Sequence, residues 1–516
     1  MPTAPSASGN QQDAIAFLSN PASYGAGVVQ VETIATHISL VFLAAHRAYK
    51  LKRAVKYPYL DFSTAEKRRA VCARELTLNR RTAPELYLEV RGIGRGPDGA
   101  IGWSVDDDAF DWVVVMRRFD QSLLFESLAE QGGLTAAMMR DLVEQVAAFH
   151  ARAEPLGDRR GAAAIAAIEA ENDECLRRAD GRFFPASDIA ELHRRSRAWL
   201  ERVAGLLDAR GAAGKVRHCH GDLHLRNICL LAGKPVLFDC LEFSEQMASI
   251  DVLYDLAFLL MDLLHRGLDD FASLVANRYF DLTDEEDGLA ALPLFLAMRA
   301  AIRAHVGATQ AGARAATDNA ASQEVRRYLD LALALLAPRP PRLIAIGGLS
   351  GTGKSTIAQR VAPLIGLRPG ARILRSDVIR KRLCGVAPEI RLPPTAYTAD
   401  MSRRVYDTIR YKTAAALRSG YCAIIDAVSL TPEERSSFAA IAAAARVPFS
   451  GIWLSASTES MASRLGMRRD DASDATPQIL EQQLRHDPGF IDWIRVDVGT
   501  DRETSFAAVR RALGLA

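Results

Sequence analysis

The pattern of apolar and polar positions changes several times along this chain. Between residues 28 and 55 apolar side chains recur with a period of two, which is typical of β-strands with one buried face. The run Arg47–Lys52 follows a short turn and predicts the next strand, and the run Trp112–Met116 is apolar enough for a buried strand. A stretch rich in Arg, Glu and Leu at residues 63–81 predicts a helix. The apolar members of the first alternation are Val29, Val31, Ile38, Leu40 and Phe42.

Helical spacing dominates the middle of the chain. Apolar residues at intervals of three and four predict an amphipathic helix before residue 150, and an Ala-rich stretch follows from Gly161. A short strand pair at residues 227–239 interrupts the helices, which then continue to about Leu336. The apolar stripe of the first of these helices consists of Met139, Leu142, Val143, Val146 and Phe149.

The sharpest boundary in the sequence is Pro338-Arg339-Pro340-Pro341. Three prolines in four residues end a helix, and an apolar strand follows directly. Strands and helices then alternate to the end of the chain, which predicts a parallel α/β sheet. The predicted strands are 343–346, 371–374, 423–425 and 452–454, and the predicted helices are 356–364 and 405–417.

Composition and charge exclude several classes of protein. The 516 residues are 49% hydrophobic and 24% charged, which is globular usage for two or three domains. Since 64 basic residues balance 62 acidic ones, the net charge of +2 does not indicate nucleic-acid binding. The seven cysteines form no C-x-x-C pair, and the first residues show no cationic or apolar signal. We therefore expect a cytoplasmic protein without a membrane segment, with residues 1–12 disordered.

A phosphate-binding loop follows the strand at 343–346. Gly348-Leu349-Ser350-Gly351-Thr352-Gly353-Lys354-Ser355 reads G-x-x-x-x-G-K-S between a strand and a helix. In such a loop successive N–H groups converge on phosphate oxygens, the lysine reaches the β- and γ-phosphates and the Ser hydroxyl binds Mg²⁺. The residues expected around the nucleotide phosphates are Gly348, Ser350, Gly351, Thr352, Gly353, Lys354, Ser355 and Thr356.

Further charged residues accompany this loop, and each leaves two interpretations open. Asp426 ends the strand at 423–425 and is either the second metal-side acid or a strand-end cap. Asp377 follows the strand at 371–374 and either orients and deprotonates an acceptor hydroxyl or caps the next helix. Arg464 and Arg468 lie four residues apart and either face the transferred phosphate or form a solvated helix surface.

Residues 342–516 resemble the P-loop small-molecule kinases. The likeness rests on the phosphate-binding loop and extends to gluconate, adenylylsulfate and shikimate kinases, zeta-toxin kinases and nucleoside-monophosphate kinases. It implies transfer of a phosphoryl group from ATP, and it does not define the acceptor.

A second set of chemical residues lies before the prolines. His220-Gly221-Asp222 and Asn227 form H-G-D-x-x-x-x-N, and Asp239 follows a short hairpin. In the protein-kinase architecture this order supplies a base for the acceptor hydroxyl and two metal ligands, which Asp222, Asn227 and Asp239 match. Asp251 and Asp255 on the next helix either brace this loop or act as helix caps.

Upstream residues complete a kinase-like arrangement. Lys50 ends a strand and Glu75 lies on the following helix, which fits the Lys–Glu pair that holds the α- and β-phosphates. Lys52 competes with Lys50 for this role, and we favour Lys50. Met116 ends the strand predicted to lie beside the adenine.

These residues resemble the aminoglycoside phosphotransferase and choline-kinase group, in which His-Gly-Asp replaces His-Arg-Asp. The chain is similar over residues 28–516 to the two-domain bacterial family called bifunctional aminoglycoside phosphotransferase/ATP-binding protein. The resemblance implies an α+β protein-kinase-like domain at 28–336 and an α/β P-loop NTPase domain with a parallel sheet at 343–516. A linker at 337–342 would join them, and 1–27 would be an N-terminal extension. The segments that carry the likeness are 36–39, 60–63, 78–81 and 220–227.

The two sets together predict an ATP- and Mg²⁺-dependent phosphotransferase that acts on a hydroxyl of a small metabolite. One alternative is a nucleotide-responsive regulatory protein, and another is a zeta-toxin-like enzyme that phosphorylates a nucleotide sugar. Two departures accompany the kinase pattern: no G-x-G-x-x-G covers the phosphates, and Asp239-Cys240-Leu241 replaces Asp-Phe-Gly. The acceptor of each domain and the oligomeric state are left open.

Overall fold

The computed structural model describes residues 9–36, 38–57, 60–104, 109–156, 161–179, 181, 183–313, 319–467, 472–499 and 501–515. Three features of the sequence analysis lie outside the described residues: His37 of the segment 36–39, Arg468, and the first eight residues of the segment expected to be disordered.

Helices are distributed over the whole chain. The first nine are α1 (Gly9–Ser19), α2 (Ala65–Asn79), α3 (Phe125–Glu130), α4 (Ala136–Arg152), α5 (Ala162–Arg178), α6 (Ala186–Ala212), α7 (Glu245–Ala248), α8 (Val252–His265) and α9 (Asp269–Thr283). The others are α10 (Leu292–Ala313), α11 (Asn319–Leu335), α12 (Lys354–Val361), α13 (Ser376–Leu383), α14 (Ala399–Arg418), α15 (Pro432–Ala445), α16 (Thr458–Gly466), α17 (Pro477–Leu484) and α18 (Arg502–Ala512). A 3-10 helix, Glu285–Ala291, joins α9 to α10.

The strands fall into two larger sheets and three hairpin-sized pairs. Before the prolines they are β1 (Val31–Ala35), β2 (Ser39–Ala44), β3 (Arg47–Lys52), β4 (Lys56–Tyr57), β5 (Leu60–Asp61), β6 (Tyr87–Arg95), β7 (Ile101–Ser104), β8 (Asp111–Arg117), β9 (Val216–His218), β10 (Ile228–Leu231), β11 (Lys234–Leu237) and β12 (Ser249–Asp251). After them they are β13 (Leu343–Gly347), β14 (Arg372–Arg375), β15 (Ala423–Asp426), β16 (Phe449–Ser455) and β17 (Ile494–Asp497).

The N-terminal sheet has six antiparallel strands in the order β1-β2-β3-β8-β6-β7. It confirms the predicted strands around residues 28–55 and 112–116, and helix α2 confirms the predicted helix at 63–81. Residues 9–12, which we expected to be disordered, instead begin α1. The reason lies in Gln11, whose buried side chain donates to the Lys52 carbonyl at 3.1 Å and to Asp111 Oδ2 at 3.0 Å.

The C-terminal sheet has five strands in the order β14-β15-β13-β16-β17, and every pairing is parallel. This confirms the predicted α/β sheet. Its central strands are buried on both faces because helices cover them, and Ile344, Ile346, Ile424 and Ile452 contribute side chains without exposed surface to the core. Strand β17 was not predicted, since three of its four residues are exposed.

By compactness the chain forms two units. The first comprises residues 1–159 and 211–259, and it contains the six-stranded sheet and the β10–β11 hairpin. The second comprises residues 160–210 and 260–516, and it contains the five-stranded sheet together with helices α9, α10 and α11. The boundary predicted at 337–342 does not coincide with this division. Independent folding on either side of the prolines remains a prediction, because compactness does not measure it.

One helical stretch among the described residues is long and apolar enough to cross a bilayer. It is the stretch 285–312, and 72% of its apolar window is buried inside the protein. Core helices satisfy the same criteria of length and composition when other elements cover them.

Candidate functional site

A buried carboxylate, Glu75, lies between two lysines in the first unit. Strand β3 places Lys50 and Lys52 on the same face because side chains two apart in a strand point the same way. Lys50 Nζ lies 2.8 Å from Glu75 Oε1, and Lys52 Nζ lies 2.5 Å from Glu75 Oε2. Glu75 therefore forms an ion pair with both lysines that compete for the role of nucleotide ligand. The pair with Glu75 does not by itself distinguish Lys50 from Lys52.

The two lysines differ in their second partners and in exposure. Lys50 Nζ lies 2.5 Å from Asp239 Oδ1, whereas Lys52 Nζ lies 2.5 Å from Glu242 Oε1. The Lys50 side chain keeps 11% of its surface exposed, and the Lys52 side chain keeps none. Burial alone would lower the pKa of Lys50, but Asp239 and Glu75 raise it well above its usual value. These differences favour Lys50 as the nucleotide ligand and Lys52 as a structural residue.

Neighbouring side chains hold the Asp239 backbone in a strained conformation. Asp239 has a φ of +61°, a left-handed geometry that costs energy in a residue with a side chain. Its N–H donates to the Tyr87 hydroxyl at 3.1 Å, and the Cys240 N–H donates to Asn79 Oδ1 at 2.8 Å. These two hydrogen bonds fix the carboxylate opposite Lys50.

The predicted base and the predicted metal ligand are in contact. Asn227 Nδ2 donates to the Asp222 carbonyl and to Asp222 Oδ2, both at 2.9 Å. His224 Nε2 lies 3.4 Å from the same carboxylate, which is 39% exposed. The amide nitrogen of Asn227 is thus committed to Asp222, and the amide oxygen is the atom suited to a cation. Together with Asp239 it offers the oxygen ligands that Mg²⁺ prefers.

Asp255 braces the loop that carries Asp222. Its carboxylate accepts from the His220 N–H at 3.1 Å and the Gly221 N–H at 2.9 Å, and it lies 3.0 Å from His150 Nε2. All three side chains, His150, His220 and Asp255, are buried. The bracing interpretation of Asp255 therefore fits the geometry, while Asp251 accepts from the Leu253 N–H at the start of α8, as a cap does. Met116 is buried in β8, and its place beside adenine stays a prediction.

In the second unit the predicted phosphate loop connects β13 to α12 as expected. Gly348, Gly351 and Gly353 have φ values of +133°, +89° and +88°, which only glycine adopts readily. Lys354 Nζ donates to the carbonyls of Gly348 at 2.8 Å and Leu349 at 3.0 Å. The lysine thus lies over the loop to which its motif assigns it. Thr352 closes the loop internally, because its hydroxyl donates to the Leu349 carbonyl at 2.8 Å.

The two predicted magnesium ligands of this loop are joined. Ser355 Oγ donates to Asp426 Oδ2 at 2.6 Å, and Arg375 Nε lies 3.3 Å from the same oxygen. Asp426 is 4% exposed at the end of β15, so its carboxylate faces the loop and does not merely cap the strand. A hydroxyl and a carboxylate at this spacing fit a magnesium site.

Asp377 lies beside this pair, and its capping interpretation is wrong. Helix α13 begins at Ser376 with Arg375 at the N-cap, so Asp377 is already within the first turn. Burial raises the pKa of its carboxyl, and Asp426 raises it further, while Arg375 and a hydrogen bond to Ser473 lower it. A carboxyl with a raised pKa is better suited to accept a proton, so the acceptor-side interpretation remains as a proposal.

Helices α16 and α17 contact the loop at three adjacent residues. Leu349 packs against a cluster that contains Met461, Leu465 and Leu480. The Ser350 N–H donates to Gln483 Oε1 at 2.9 Å, a contact between residues 133 apart that no local sequence pattern indicates.

Arg464, expected to face the transferred phosphate, donates instead to main-chain carbonyls. Its partners are Gly351 and Val498, both at 3.4 Å, and Gly499. In this arrangement Arg464 connects α16 to the loop backbone, and a phosphate contact would require the side chain to leave these carbonyls.

The sequence analysis missed four residues that support the sites. None of the four, His150, Glu242, Tyr87 and Gln483, was expected to support a site. The spacing of Glu242, three residues after Asp239, was the one available signal; the others act across 105 to 152 residues of chain. Such contacts have no local pattern.

Two family models match the chain. The model described as the phosphotransferase enzyme family matches residues 53–292, and the model described as an AAA domain matches residues 343–487. The first match contains Glu75, Asp222 and Asp239, and the second contains Lys354 and Asp426.

Related proteins cover nearly the whole chain. An uncharacterized protein of Mycobacterium tuberculosis is 30% identical over 481 residues, which are 91% of this chain and 93% of the relative. Among solved structures, a gluconokinase from Sinorhizobium meliloti is 23% identical over 34% of this chain and 91% of its own, with a TM-score of 0.25. A choline/ethanolamine kinase family protein from Mesorhizobium loti is 16% identical over 63% and 99%, with a TM-score of 0.37.

Weakening the hydrogen bonds that Asp255 accepts from the loop should slow catalysis without lowering the affinity for nucleotide. We expect Asp255→Asn, in a chain that also carries Lys354→Ala, to lower ADP formation by about 10- to 100-fold, since hydrogen bonds to a buried charge contribute about 1.5–3 kcal/mol. The dissociation constant of an ATP analogue should stay within about twofold, because Asp255 accepts from the backbone of the loop that carries Asp222 and is not one of the proposed nucleotide or metal ligands. Asp262→Asn is the matched control, since Asp262 lies two turns along α8 and pairs with Arg266. A parallel loss of affinity would contradict the bracing role.

The contact between α16 and the loop predicts a difference between two glycines. Alanine at Gly351 or Gly353 costs about 1–2 kcal/mol of backbone strain at either position. Only at Gly351 would the new Cβ lie 2.6 Å from a backbone atom, the carbonyl oxygen of Met461, whereas nothing lies within 4 Å at Gly353. Gly351→Ala should therefore lower the melting temperature of the nucleotide-free chain more than Gly353→Ala does. Equal melting temperatures in calorimetry would refute this contact.

Proposed function

The chain belongs to the bifunctional aminoglycoside phosphotransferase/ATP-binding protein family, and on that premise we propose that it transfers the γ-phosphoryl group of ATP to a hydroxyl of a small metabolite. The AAA-domain match contains Lys354 and Asp426, and the phosphotransferase match contains Glu75, Asp222 and Asp239, with Lys50 three residues before its start. We propose that each part contains its own nucleotide site. The family name describes resemblance of fold, and aminoglycosides are one acceptor class among several to be tested.

One observation carries the catalytic interpretation: Asp222 keeps 39% of its side chain exposed on a loop that Asp255 braces. Glu75 and Asp239 are paired with Lys50, while Asp222 is held by Asn227 and keeps 39% of its surface exposed. A protein that only bound nucleotide would need the lysine and the metal ligands. It would not need an additional exposed carboxylate on a braced loop, so this arrangement favours a phosphotransferase over a regulatory module.

At the first site the roles follow from position. Lys50 would leave Asp239 and contact the α- and β-phosphates while Glu75 keeps its ammonium in place. Asp222 would accept the proton of the acceptor hydroxyl as that oxygen attacks phosphorus, and ADP would leave. Phosphoryl transfer depends mainly on positioning and on compensation of charge. The ion pairs of Lys50 with Glu75 and Asp239 provide fixed charges of this kind.

At the second site the loop N–H groups and Lys354 would hold the β- and γ-phosphates, and Asp377 would orient or deprotonate the acceptor. Lys354 would exchange the carbonyls of Gly348 and Leu349 for phosphate oxygens. Arg375 lies next to Asp426 and lowers the pKa of the Asp377 carboxyl.

The donor sets suit magnesium at both sites. Asn227 and Asp239 would hold it at the first site, and Ser355 and Asp426 at the second. When bound, the ion would compensate the negative charge of the nucleotide phosphates.

Variants of the two acids at the first site should separate their roles. Asp222→Asn should abolish transfer by this site and leave the affinity for magnesium and an ATP analogue within about threefold, because it removes a proton acceptor. Asp239→Asn should weaken binding of the same ligand, because it removes a metal ligand and the partner of Lys50. ADP formation with a panel of sugars, amino alcohols, nucleosides and aminoglycosides is measured in a Lys354→Ala chain. Equal loss of affinity in both variants would contradict the assignment.

Two independent sites predict two equivalents of bound nucleotide. Calorimetry with a non-hydrolysable ATP analogue should give two equivalents for the unmodified chain and one for Lys354→Ala, with the affinity of the remaining site unchanged. Loss of the charge should also slow transfer at the second site by roughly a hundredfold, the effect of about 3 kcal/mol. A single equivalent that disappears in Lys354→Ala would mean that the kinase-like part binds no nucleotide and is a degenerate scaffold, which would contradict the proposal of two sites.

A further inference from the structure

Strand β14 lies at the edge of the parallel sheet, and a side chain from α9 covers its outer side. Open edges carry unpaired N–H and carbonyl groups, which proteins usually protect. Here Asn277 Oδ1 accepts from the Ile373 N–H at 2.7 Å, and Asn277 Nδ2 donates to the Ala371 carbonyl at 3.1 Å. The amide of Asn277 therefore takes the place of a neighbouring strand.

An arginine at the start of β14 is buried against acids from the same helical segment. The Arg372 side chain is 3% exposed, and its Nη2 lies 2.6 Å from Asp281 Oδ1 and 2.9 Å from Glu286 Oε1. Burial would raise the pKa of the Glu286 carboxyl, but Arg372 and Lys412 lower it to about 2. Each charge in this group is compensated by another, as buried charges require.

Two more cations of the P-loop part contact this segment. Lys412 on α14 pairs with Asp284 and lies 2.9 Å from Glu286 Oε1, and Arg382 on α13 lies 3.2 Å from Asp284 Oδ2. Arg382 also donates to the Asp281 carbonyl at 2.9 Å. Three elements of the P-loop part, β14, α13 and α14, thus place their cations against one acidic segment. We call residues 277–286, which the phosphotransferase-family match covers in full, the acidic seat.

The acidic seat and the proposed nucleotide site lie at opposite ends of β14, a strand of four residues. Arg372 begins β14, and Arg375 ends it with its Nε 3.3 Å from Asp426, which accepts from Ser355. Asp377 follows directly in the first turn of α13. A shift of β14 would move Arg375, and with it the charge next to the magnesium-side acid.

We propose that the acidic seat is an internal docking surface that positions strand β14. By positioning this strand it holds the positive charge of Arg375 next to Asp426 in the P-loop site. This inference rests on the proposed function of that site. Helix α9 and the 3-10 helix of the phosphotransferase-family part then support the P-loop site as well. Substitutions that neutralise the acids of the acidic seat should therefore change the magnesium-dependent nucleotide affinity of the P-loop site. Asn277 secures the strand edge, and Asp281 and Glu286 secure its first residue.

The test compares magnesium dependence in full-length chains. All variants carry Asp239→Asn, so that nucleotide binding reports the site of Lys354. Asp281→Asn combined with Glu286→Gln removes both charges from Arg372 at constant size, and Arg372→Met removes the cation. Asp270→Asn, at an exposed position of α9, is the matched control. Calorimetry measures the affinity for a non-hydrolysable ATP analogue with magnesium and with a chelator.

We expect the double variant to weaken magnesium-dependent binding by about tenfold, within the range of coupling between sites. Binding in chelator should stay within about twofold, because the loop N–H groups and Lys354 are not displaced. Adding Arg372→Met to the double variant should cause little further loss, since both changes remove the same interaction. Unchanged affinity in magnesium, or an equal loss with and without magnesium, would overturn the proposal.

A second measurement does not depend on nucleotide. In Asn277→Ala the amide of Ile373 should exchange with solvent at least about tenfold faster, while the amide of Ile424 in the adjacent strand should not change. Unchanged exchange at Ile373 would overturn the docking surface even if the double variant lost affinity. If the Asp239→Asn parent binds no nucleotide, the proposed function of the P-loop site fails instead, and exchange at Ile373 alone decides on the acidic seat.

Discussion

A charge taken out of water must be neutralised by another, and this constraint arranges both phosphate sites of the chain. Glu75 and its two lysines satisfy it in the first unit, and Arg372 with Asp281 and Glu286 satisfies it in the second. Breaking one partner out of such a group leaves an uncompensated buried charge. The groups therefore fix the elements that carry them, and with them the positions of the residues proposed for catalysis.

The two lysines proposed to bind phosphate are held in a similar way. Lys50 is held by Asp239, and Lys354 is held by the carbonyls of Gly348 and Leu349. In each case the lysine keeps polar partners that phosphate oxygens can replace. Positive charge is thus preorganised, and binding exchanges one set of oxygen atoms for another at little cost in rearrangement.

The sequence predicted the features that depend on residues close together in the chain. Period-two alternation predicted β2 and β3, and the apolar runs predicted β13 and β15. The sequence also singled out Ser355 and Asp426 as candidate magnesium ligands, and the structure joins them by a hydrogen bond. Features that depend on distant residues were missed or misjudged. Gln11 anchors a segment that was expected to be disordered. The contact was missed because its partner Asp111 is a hundred residues away in the sequence. Arg464 was expected at the phosphate, but carbonyl groups of the folded chain accept from its guanidinium.

The central claim is that one chain carries two sites for the phosphates of ATP, with Lys50 at one and Lys354 at the other. Labelling with an ATP analogue that bears a reactive acyl phosphate tests it most directly, because only lysines next to bound phosphates are acylated. Peptide mass spectrometry should find label on Lys50 and Lys354, little on the buried Lys52, and none at either site in the presence of excess ATP. Label on Lys354 alone, or on Lys52 in place of Lys50, would contradict the account.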